Sequence, residues 1–297
     1  MGCDVAARSR AAAEIFERAS AVLGYDLLAL TREGPEEKLR ETEYSQPAIF
    51  TTNVALYAAV GDILEPVVSA GHSFAEFCSL VAAHALPFDE ALRSVAVRGE
   101  AMQEAAARTR GGMSAILGLE AAKIRRVLEQ PAIRNAGRVQ LANFNSPTQI
   151  VISGDLQAVQ TAGEAMLAAG AKRIVPLNVS GAWHSELMQP AVERLAAAVN
   201  SAHFTLPRFD VISNVDGCAY RDVETIKTNL VRSVVDEVRW HDTAERLLSY
   251  QLDLVVEFGA SGVLGPLMRR MHDAPTTMVA SDYTGVENVR AALAVRV

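Results

Sequence analysis

Ser73 lies in a segment whose residue types are typical of a catalytic nucleophile, Gly71-His72-Ser73-Phe74-Ala75. An apolar run precedes this segment and apolar residues at helical spacing follow it, which predicts a sharp turn from a strand into a helix. In the G-x-S-x-G pattern, small residues two before and two after the serine permit such a turn, and alanine takes the last place here. The serine hydroxyl would stand at the positive end of the helix, and the backbone N–H of Phe74 would donate to an oxyanion. The residues alone are also compatible with a simple tight turn.

A serine hydroxyl needs a base to become a good nucleophile, and the sequence has six histidines. His184 stands where a predicted strand runs into a helix, a position that suits either a catalytic or a structural histidine. The side chain of His72 should diverge from that of its neighbour Ser73 at such a turn. The remaining histidines lie in polar or helix-end contexts that favour surface or structural roles: His84, His203, His241 and His272.

Strand and helix patterns alternate on either side of these residues, which predicts an α/β fold with a parallel sheet flanked by helices. Because a sharp turn that carries a serine follows one strand, as in the α/β-hydrolases, we expect a hydrolase-like sheet. We expect strands over 65–70, 209–214 and 252–258. We expect helices over 8–30, 46–60 with Pro47 in its first turn, 74–81, 91–108, 185–202, 233–250 and 262–271.

The middle of the chain follows a different order. It reads as strand 113–117, helix 121–130, strands 139–143 and 149–153, helix 155–169 and strand 173–179. This βαββαβ order is that of a ferredoxin-like motif. We therefore predict a small subdomain of residues 111–180, inserted into a larger one formed by residues 1–110 and 181–297.

The composition excludes several classes of protein. Half of the 297 residues are apolar, 21% are charged and the net charge is −7, which is unlike a disordered chain or a nucleic-acid-binding protein. No apolar stretch is long enough to cross a membrane, and no hydrophobic signal core follows Met1. The three cysteines form no CxxC pair, so we expect neither a metal site nor a disulfide scaffold. We expect a soluble, cytoplasmic protein.

Four motifs, in order along nearly the whole chain, resemble the malonyl-CoA:acyl carrier protein transacylases. This family includes the acyltransferase domains of fatty-acid and polyketide synthases. The motifs are Gly71-His72-Ser73, Arg98-Gly99, Ala142-Asn143-Phe144-Asn145-Ser146-Pro147-Thr148-Gln149 and Gly181-Ala182-Trp183-His184-Ser185-Glu186-Leu187-Met188.

The resemblance implies an S-malonyltransferase that works through an acyl-serine. Ser73 would take the malonyl group from coenzyme A, and His184 would remove the proton of Ser73 and later that of the carrier protein's phosphopantetheine thiol. Arg98 would bind the malonyl carboxylate, which a guanidinium pairs through two charge-assisted hydrogen bonds. Gln46 would line the site. Coenzyme A enters as a thioester substrate, so no cofactor is implied.

The sequence departs from the family pattern in two internal segments. The family orients its histidine through the main-chain carbonyl of a glutamine in Gln-x-x-x-Pro-Val-x-Trp. The equivalent run, residues 233–240, has Ser233 in place of the glutamine and Glu237 in place of the proline. A carbonyl survives a change of side chain, so the resemblance still implies that Ser233 orients His184. The family's Gly-Pro-Gly-Lys turn appears as Gly259-Ala260-Ser261-Gly262.

A third departure concerns the first residues. The family opens with a strand and a Gly-Gln-Gly-Ser-Gln loop, whose first glutamine supplies the second oxyanion-hole amide, before a Gly-Met-Gly. Met1-Gly2 falls at the place of that Gly-Met-Gly. Since losing one oxyanion donor costs about 10²–10³ in rate, we expect the chain as written to be weakly active or poorly soluble. We expect a longer reading frame to restore the loop.

Carrier proteins with phosphopantetheine are generally acidic, so a locally basic docking face is expected in spite of the net negative charge. Loose resemblance to the family suggests Lys172, Arg173 and Arg270. We expect a monomer whose partners are malonyl-CoA and an acyl carrier protein. Three alternatives stay open: a discrete acyltransferase of a polyketide synthase, a serine hydrolase, and a truncated homologue that binds carrier protein without turnover.

Overall fold

The computed structural model describes residues 1–295. The strands are β1 (Val68–Ala70), β2 (Gly111–Leu117), β3 (Val139–Ser146), β4 (Gln149–Asp155), β5 (Arg173–Pro176), β6 (Asp210–Ile212), β7 (Leu254–Phe258) and β8 (Thr276–Ala280). The helices are α1 (Cys3–Arg8), α2 (Arg10–Leu23), α3 (Leu27–Glu33), α4 (Glu36–Arg40), α5 (Thr42–Val60), α6 (Glu76–Ala82), α7 (Phe88–Ala107), α8 (Ala121–Leu128), α9 (Pro131–Ala136), α10 (Leu156–Ala168), α11 (Gln189–Ser201), α12 (Val223–Arg232), α13 (Trp240–Leu248), α14 (Leu264–Met268) and α15 (Tyr283–Ala294). Two 3-10 helices span Ser73–Ala75 and Glu186–Met188.

The strands outside residues 111–180 pair in parallel, as the alternation of strands and helices predicted. β1 pairs with β6 and β7 pairs with β8, and within residues 1–295 these remain two separate two-stranded sheets. A cavity of about 1460 Å³ is lined by residues of both β1 and β7. In the described part of the chain, β1 is hydrogen-bonded only to β6 and β7 only to β8, so each has one unpaired edge.

Residues 111–176 form a four-stranded antiparallel sheet in the order β3-β4-β2-β5. With α8 between β2 and β3 and α10 between β4 and β5, this is the ferredoxin-like arrangement that the sequence predicted. Its core contains Ile116, Ile124, Ile150 and Met166, all fully buried, and is separate from the main core. A parallel bridge between Asn143 and Val238 ties this sheet to the loop before α13.

The main core is built around α5 and α7. Most residues of α5 are buried around its whole circumference, because it lies between α2 and α7. α5 begins at Thr42, so the prediction that Pro47 lies in its first turn is wrong. Pro47 stands inside the helix, where its ring removes one backbone donor.

Two further element predictions need correction. The helix expected over 233–250 exists only as α13, because residues 233–239 turn back to contact β3 and the site described below. The helix expected over 8–30 divides into α2 and α3, since Gly24 ends α2 in a left-handed conformation. The sequence patterns did not predict β8 or α15. No helix within residues 1–295 is long and apolar enough to cross a membrane.

Candidate active site

Ser73 occupies the sharp turn between β1 and α6. Its φ is 57°, in the left-handed region, and the 3-10 helix Ser73–Ala75 leads directly into α6. A Cβ on Gly71 would lie 2.1 Å from the carbonyl carbon and oxygen of Ala75, so only glycine fits two residues before the serine. The strand–turn–helix geometry predicted from residues 71–75 is therefore present. The backbone N–H of Phe74 lies in the first turn, where N–H groups lack intrahelical acceptors.

His184 contacts Ser73 directly. Its Nε2 lies 2.8 Å from Ser73 Oγ, and its Nδ1 lies 2.8 Å from the carbonyl oxygen of Ser233. Because a carbonyl can only accept, Nδ1 carries the proton and Nε2 is free to accept the hydroxyl proton of Ser73. The Ser233 carbonyl thus stands where the resemblance placed the histidine-orienting group, although serine replaces glutamine.

The environment of His184 keeps the imidazole neutral. Burial, together with the positive charge of Arg98 and the neighbouring His72, lowers the pKa of His184 to about 3. Only 4% of the residue is exposed. A neutral imidazole is the form that can take a proton from Ser73.

Arg98 is the third member of the site and is 1% exposed. Its Nη2 donates to Ser73 Oγ at 3.0 Å, its Nη1 donates to Gln46 Oε1 at 2.7 Å, and its Nε has no hydrogen-bond partner among the described residues. Burial lowers the pKa of Arg98 to about 10, which still leaves the guanidinium charged at neutral pH. No carboxylate within residues 1–295 is hydrogen-bonded to it. Beside the nucleophile there is therefore a buried cation with no hydrogen-bonded carboxylate in the described part of the chain, on which Glu76 acts only through its charge.

Gln46 positions that cation. Its Nε2 donates to Thr42 Oγ1 at 2.8 Å, which turns its carbonyl oxygen toward Arg98. The ring of Phe74 lies 6.0 Å from the Arg98 guanidinium carbon. The structure therefore brings together six residues that were predicted from the sequence: Ser73, Phe74, His184, Ser233, Arg98 and Gln46.

His72 takes no part in this pair. Its Nε2 lies 3.1 Å from Asn145 Oδ1, its ring lies 5.8 Å from that of Trp240, and burial lowers its pKa. The expectation that its side chain diverges from Ser73 agrees with these contacts.

The three suggested docking residues lie at the surface. Lys172 and Arg173 stand at the start of β5, Arg270 follows α14, and all three are exposed. None of their side chains forms an ion pair with a residue in the described part of the chain. Their role in docking stays a prediction.

Sequence reasoning missed two polar residues beside the site, the half-buried Gln140 and the buried Glu76. Gln140 Nε2 donates to the carbonyl oxygens of His184 and Val235, at 3.3 and 3.0 Å. Glu76, three residues after Ser73, is 1% exposed and accepts hydrogen bonds from Asn214 and Tyr220. The one available signal for Glu76 was a carboxylate within the first turn of the helix after the serine.

Comparisons with known proteins agree with this geometry. Residues 1–281 match the family described as "Acyl transferase domain". The chain is 40% identical over 285 residues to the malonyl CoA-acyl carrier protein transacylase of Salmonella typhimurium, an alignment covering 95% of this chain and 91% of that protein. It is 36% identical over 288 residues to the protein of the same name from Bacillus subtilis, covering 97% of this chain and 90% of that one.

Two solved structures are similar over almost their full length. The malonyl CoA-acyl carrier protein transacylase of Coxiella burnetii superposes with a TM-score of 0.93 at 34% identity, covering 99% of this chain and 93% of that one. A malonyl-transacylase in complex with a type II PKS acyl-carrier protein has a TM-score of 0.93 at 36% identity, covering 98% and 94%.

Proposed function

Since this chain belongs to the acyl transferase family, we propose that it transfers a malonyl group from coenzyme A to the phosphopantetheine thiol of an acyl carrier protein. The observation that carries the proposal is the buried Arg98, whose guanidinium reaches Ser73 Oγ and is hydrogen-bonded to no carboxylate among the described residues. The free carboxylate of a malonyl thioester supplies the missing anion. A monocarboxylic acyl group would leave the cation buried and unpaired.

The first half-reaction acylates the serine. His184 Nε2 takes the hydroxyl proton as Ser73 Oγ attacks the thioester carbonyl, and the Phe74 N–H donates to the oxyanion that forms. Collapse of this intermediate breaks the carbon–sulfur bond. The proton on His184 then goes to the coenzyme A thiolate, and malonyl-Ser73 remains.

The second half-reaction reverses these steps with a different thiol. His184 deprotonates the phosphopantetheine thiol, the thiolate attacks malonyl-Ser73, and Ser73 leaves with the proton held by His184. The Ser233 carbonyl keeps Nδ1–H in place through both steps. This chemistry uses only side chains and backbone groups of the protein, so the proposal includes no cofactor.

The alternatives predict different fates for the acyl group. A serine hydrolase would pass it to water and would have no use for Arg98, and a non-catalytic homologue would need no paired serine and histidine. A discrete acyltransferase of polyketide synthesis would use the same chemistry. The related structure with a type II PKS acyl-carrier protein supports that variant of the proposal, in which the carrier protein alone differs.

The proposal also covers the state of the protein in the cell. We propose a monomer in the cytoplasm, and the three cysteines support that compartment since none is in a disulfide in the described part of the chain. The acyl carrier protein is the only macromolecular partner that the chemistry requires.

Mass spectrometry after incubation with malonyl-CoA tests the proposal. We expect a malonyl adduct on the peptide containing Ser73, its loss in Ser73→Ala, and its transfer to added holo-acyl carrier protein. Ser69→Ala is the matched control, because Ser69 lies on β1 and its hydroxyl bonds Ser79 rather than His184. An adduct that persists in Ser73→Ala, or that is released only to water, would contradict the proposal.

A further inference from the structure

Glu76 connects the helix that follows the nucleophile to a distant loop. It lies one turn after Ser73, at the start of α6, and its carboxylate is buried. Its Oε2 accepts from the backbone N–H of Asn214 at 2.8 Å and from the Asn214 side-chain amide. The hydroxyl of Tyr220 donates to its Oε1. Both carboxylate oxygens therefore have partners on the loop after β6.

The same loop is tied to the helix that ends at the base-orienting carbonyl. Ser213 precedes Asn214, and its hydroxyl oxygen accepts from Asn229 Nδ2 at 3.1 Å. Asn229 lies in α12 and also donates to Asp216 Oδ2 at 2.9 Å. Its carbonyl accepts from Ser233 N at 2.9 Å, and Ser233 O accepts from His184 Nδ1.

These contacts form a continuous path from the serine turn to the histidine. Ser73 and His184 are 111 residues apart in the sequence, so no local structure sets their separation. Ser213, Asn214 and Asn229 are all buried, with Asn229 the most exposed of them at 3%. Removing one partner from a buried hydrogen bond leaves the other unsatisfied, and the surrounding segments must shift to satisfy it.

We propose that Glu76, Ser213, Asn214 and Asn229 are positioning residues that hold Ser73 Oγ and His184 Nε2 at hydrogen-bonding distance for acyl transfer, an inference that rests on the function proposed above. None of the four is hydrogen-bonded to Ser73 Oγ or to the ring nitrogens of His184. They act through the two segments, α6 and the end of α12, that carry the nucleophile and the histidine-orienting carbonyl.

The role requires hydrogen bonds rather than a negative charge at position 76. Burial raises the pKa of Glu76 to about 7, so the carboxyl is only partly ionised at neutral pH. A glutamine can accept from Asn214 with its oxygen and donate to the Tyr220 hydroxyl with its nitrogen. Glu76→Gln should therefore keep the path intact, whereas Glu76→Ala should break it.

The experiment measures two rates in each variant: malonyl transfer and the reaction of Ser73 with a fluorophosphonate. Asn229→Leu removes the side-chain amide that donates to Ser213 and Asp216, and it leaves a side chain of similar volume. Because displacing reacting groups by about 1 Å costs about 10²-fold, we expect kcat and the fluorophosphonate rate to fall about 10–100-fold in Asn229→Leu. The KM for malonyl-CoA should stay unchanged, since Arg98 and Gln46 are left in place.

Controls separate positioning from general destabilisation. Thr51→Val alters a buried hydroxyl of α5 that has no hydrogen-bond partner among the described residues, and it should leave both rates unchanged. Ser213→Ala is a milder variant of the same path, and it replaces Asn229→Leu in the experiment if Asn229→Leu does not fold. Both rates should stay near the wild-type values in Glu76→Gln. In Glu76→Ala both rates should fall, as in Asn229→Leu.

The outcomes distinguish this inference from the proposed function. If the wild type reacts with the fluorophosphonate but transfers no malonyl group, the proposed function fails, and the fluorophosphonate series still tests positioning. Wild-type fluorophosphonate rates in folded Asn229→Leu or Ser213→Ala would overturn the inference. So would a Glu76→Gln variant as slow as Glu76→Ala, because charge rather than hydrogen bonding would then be responsible.

Discussion

At the scale of single residues, the electrostatics of the site depend on Arg98. Its charge contributes to the low pKa of His184, and it lies within hydrogen-bonding distance of the nucleophile. An incoming carboxylate would offset the guanidinium charge, which favours proton uptake by His184 at the moment the serine attacks. One buried cation thus links substrate recognition to the base.

Arg98→Ala should change the acyl preference of the enzyme. A hydrogen bond to a charged group contributes about 1.5–3 kcal/mol, so malonyl transfer should fall by roughly one to two decades relative to acetyl transfer. The measurement is kcat/KM for malonyl-CoA and acetyl-CoA with the same carrier protein. Arg93→Ala, an exposed arginine on the same helix, is the control. An equal loss with both thioesters would show that Arg98 is structural.

At the scale of elements, the turn between β1 and α6 holds the serine in its left-handed conformation. The turn depends on Gly71, because a side chain there would overlap the backbone of Ala75. Because this turn sets the direction of the Ser73 hydroxyl, a shift of the turn would move the hydroxyl away from His184.

Gly71→Ala should therefore reduce both stability and activity. The backbone must move to admit the methyl group, which costs about 1–3 kcal/mol for a typical overpacked site, and the serine moves with it. Denaturant unfolding measures the first effect and the rate of Ser73 acylation the second. Gly259→Ala is the matched control, because the nearest atom to a Cβ there is 3.8 Å away. Full activity in Gly71→Ala would mean that the turn can open without displacing Ser73.

At the scale of the whole molecule, the proposed function requires a protein of net charge −7 to bind an acidic carrier protein. Long-range repulsion between the two is screened within about 10 Å at moderate salt, so a local basic face can still dock. Lys172 and Arg173 are exposed cations at the start of β5 in the small subdomain. Docking at this edge would leave the buried site unchanged.

Reversing both charges, in Lys172→Glu/Arg173→Glu, should raise the KM for the carrier protein several-fold, and more strongly at low salt. The KM for malonyl-CoA should not change, because neither residue contacts Ser73, His184 or Arg98 in the structure. Lys123→Glu/Arg126→Glu makes the same change of net charge on α8 and should have a smaller effect. A parallel rise in both Michaelis constants would indicate misfolding rather than a docking defect.

The sequence by itself determined the features that depend on neighbouring residues. The serine turn follows from small residues at fixed offsets, and the βαββαβ order of the small subdomain follows from apolar periodicity and turn residues. Motif resemblance also identified His184, Arg98, Gln46 and the Ser233 carbonyl, because each lies within a short characteristic run.

Only the tertiary structure decided what depends on residues far apart in the chain. Periodicity within α7 could not show whether Arg98 is buried, because burial depends on α5 supplying Gln46. It could not divide the parallel strands into two pairs or place Glu76 against Asn214, 138 residues away. Residues 233–239 were expected to be helical, yet they form the loop that orients His184, because contacts with β3 outweigh local helix propensity there.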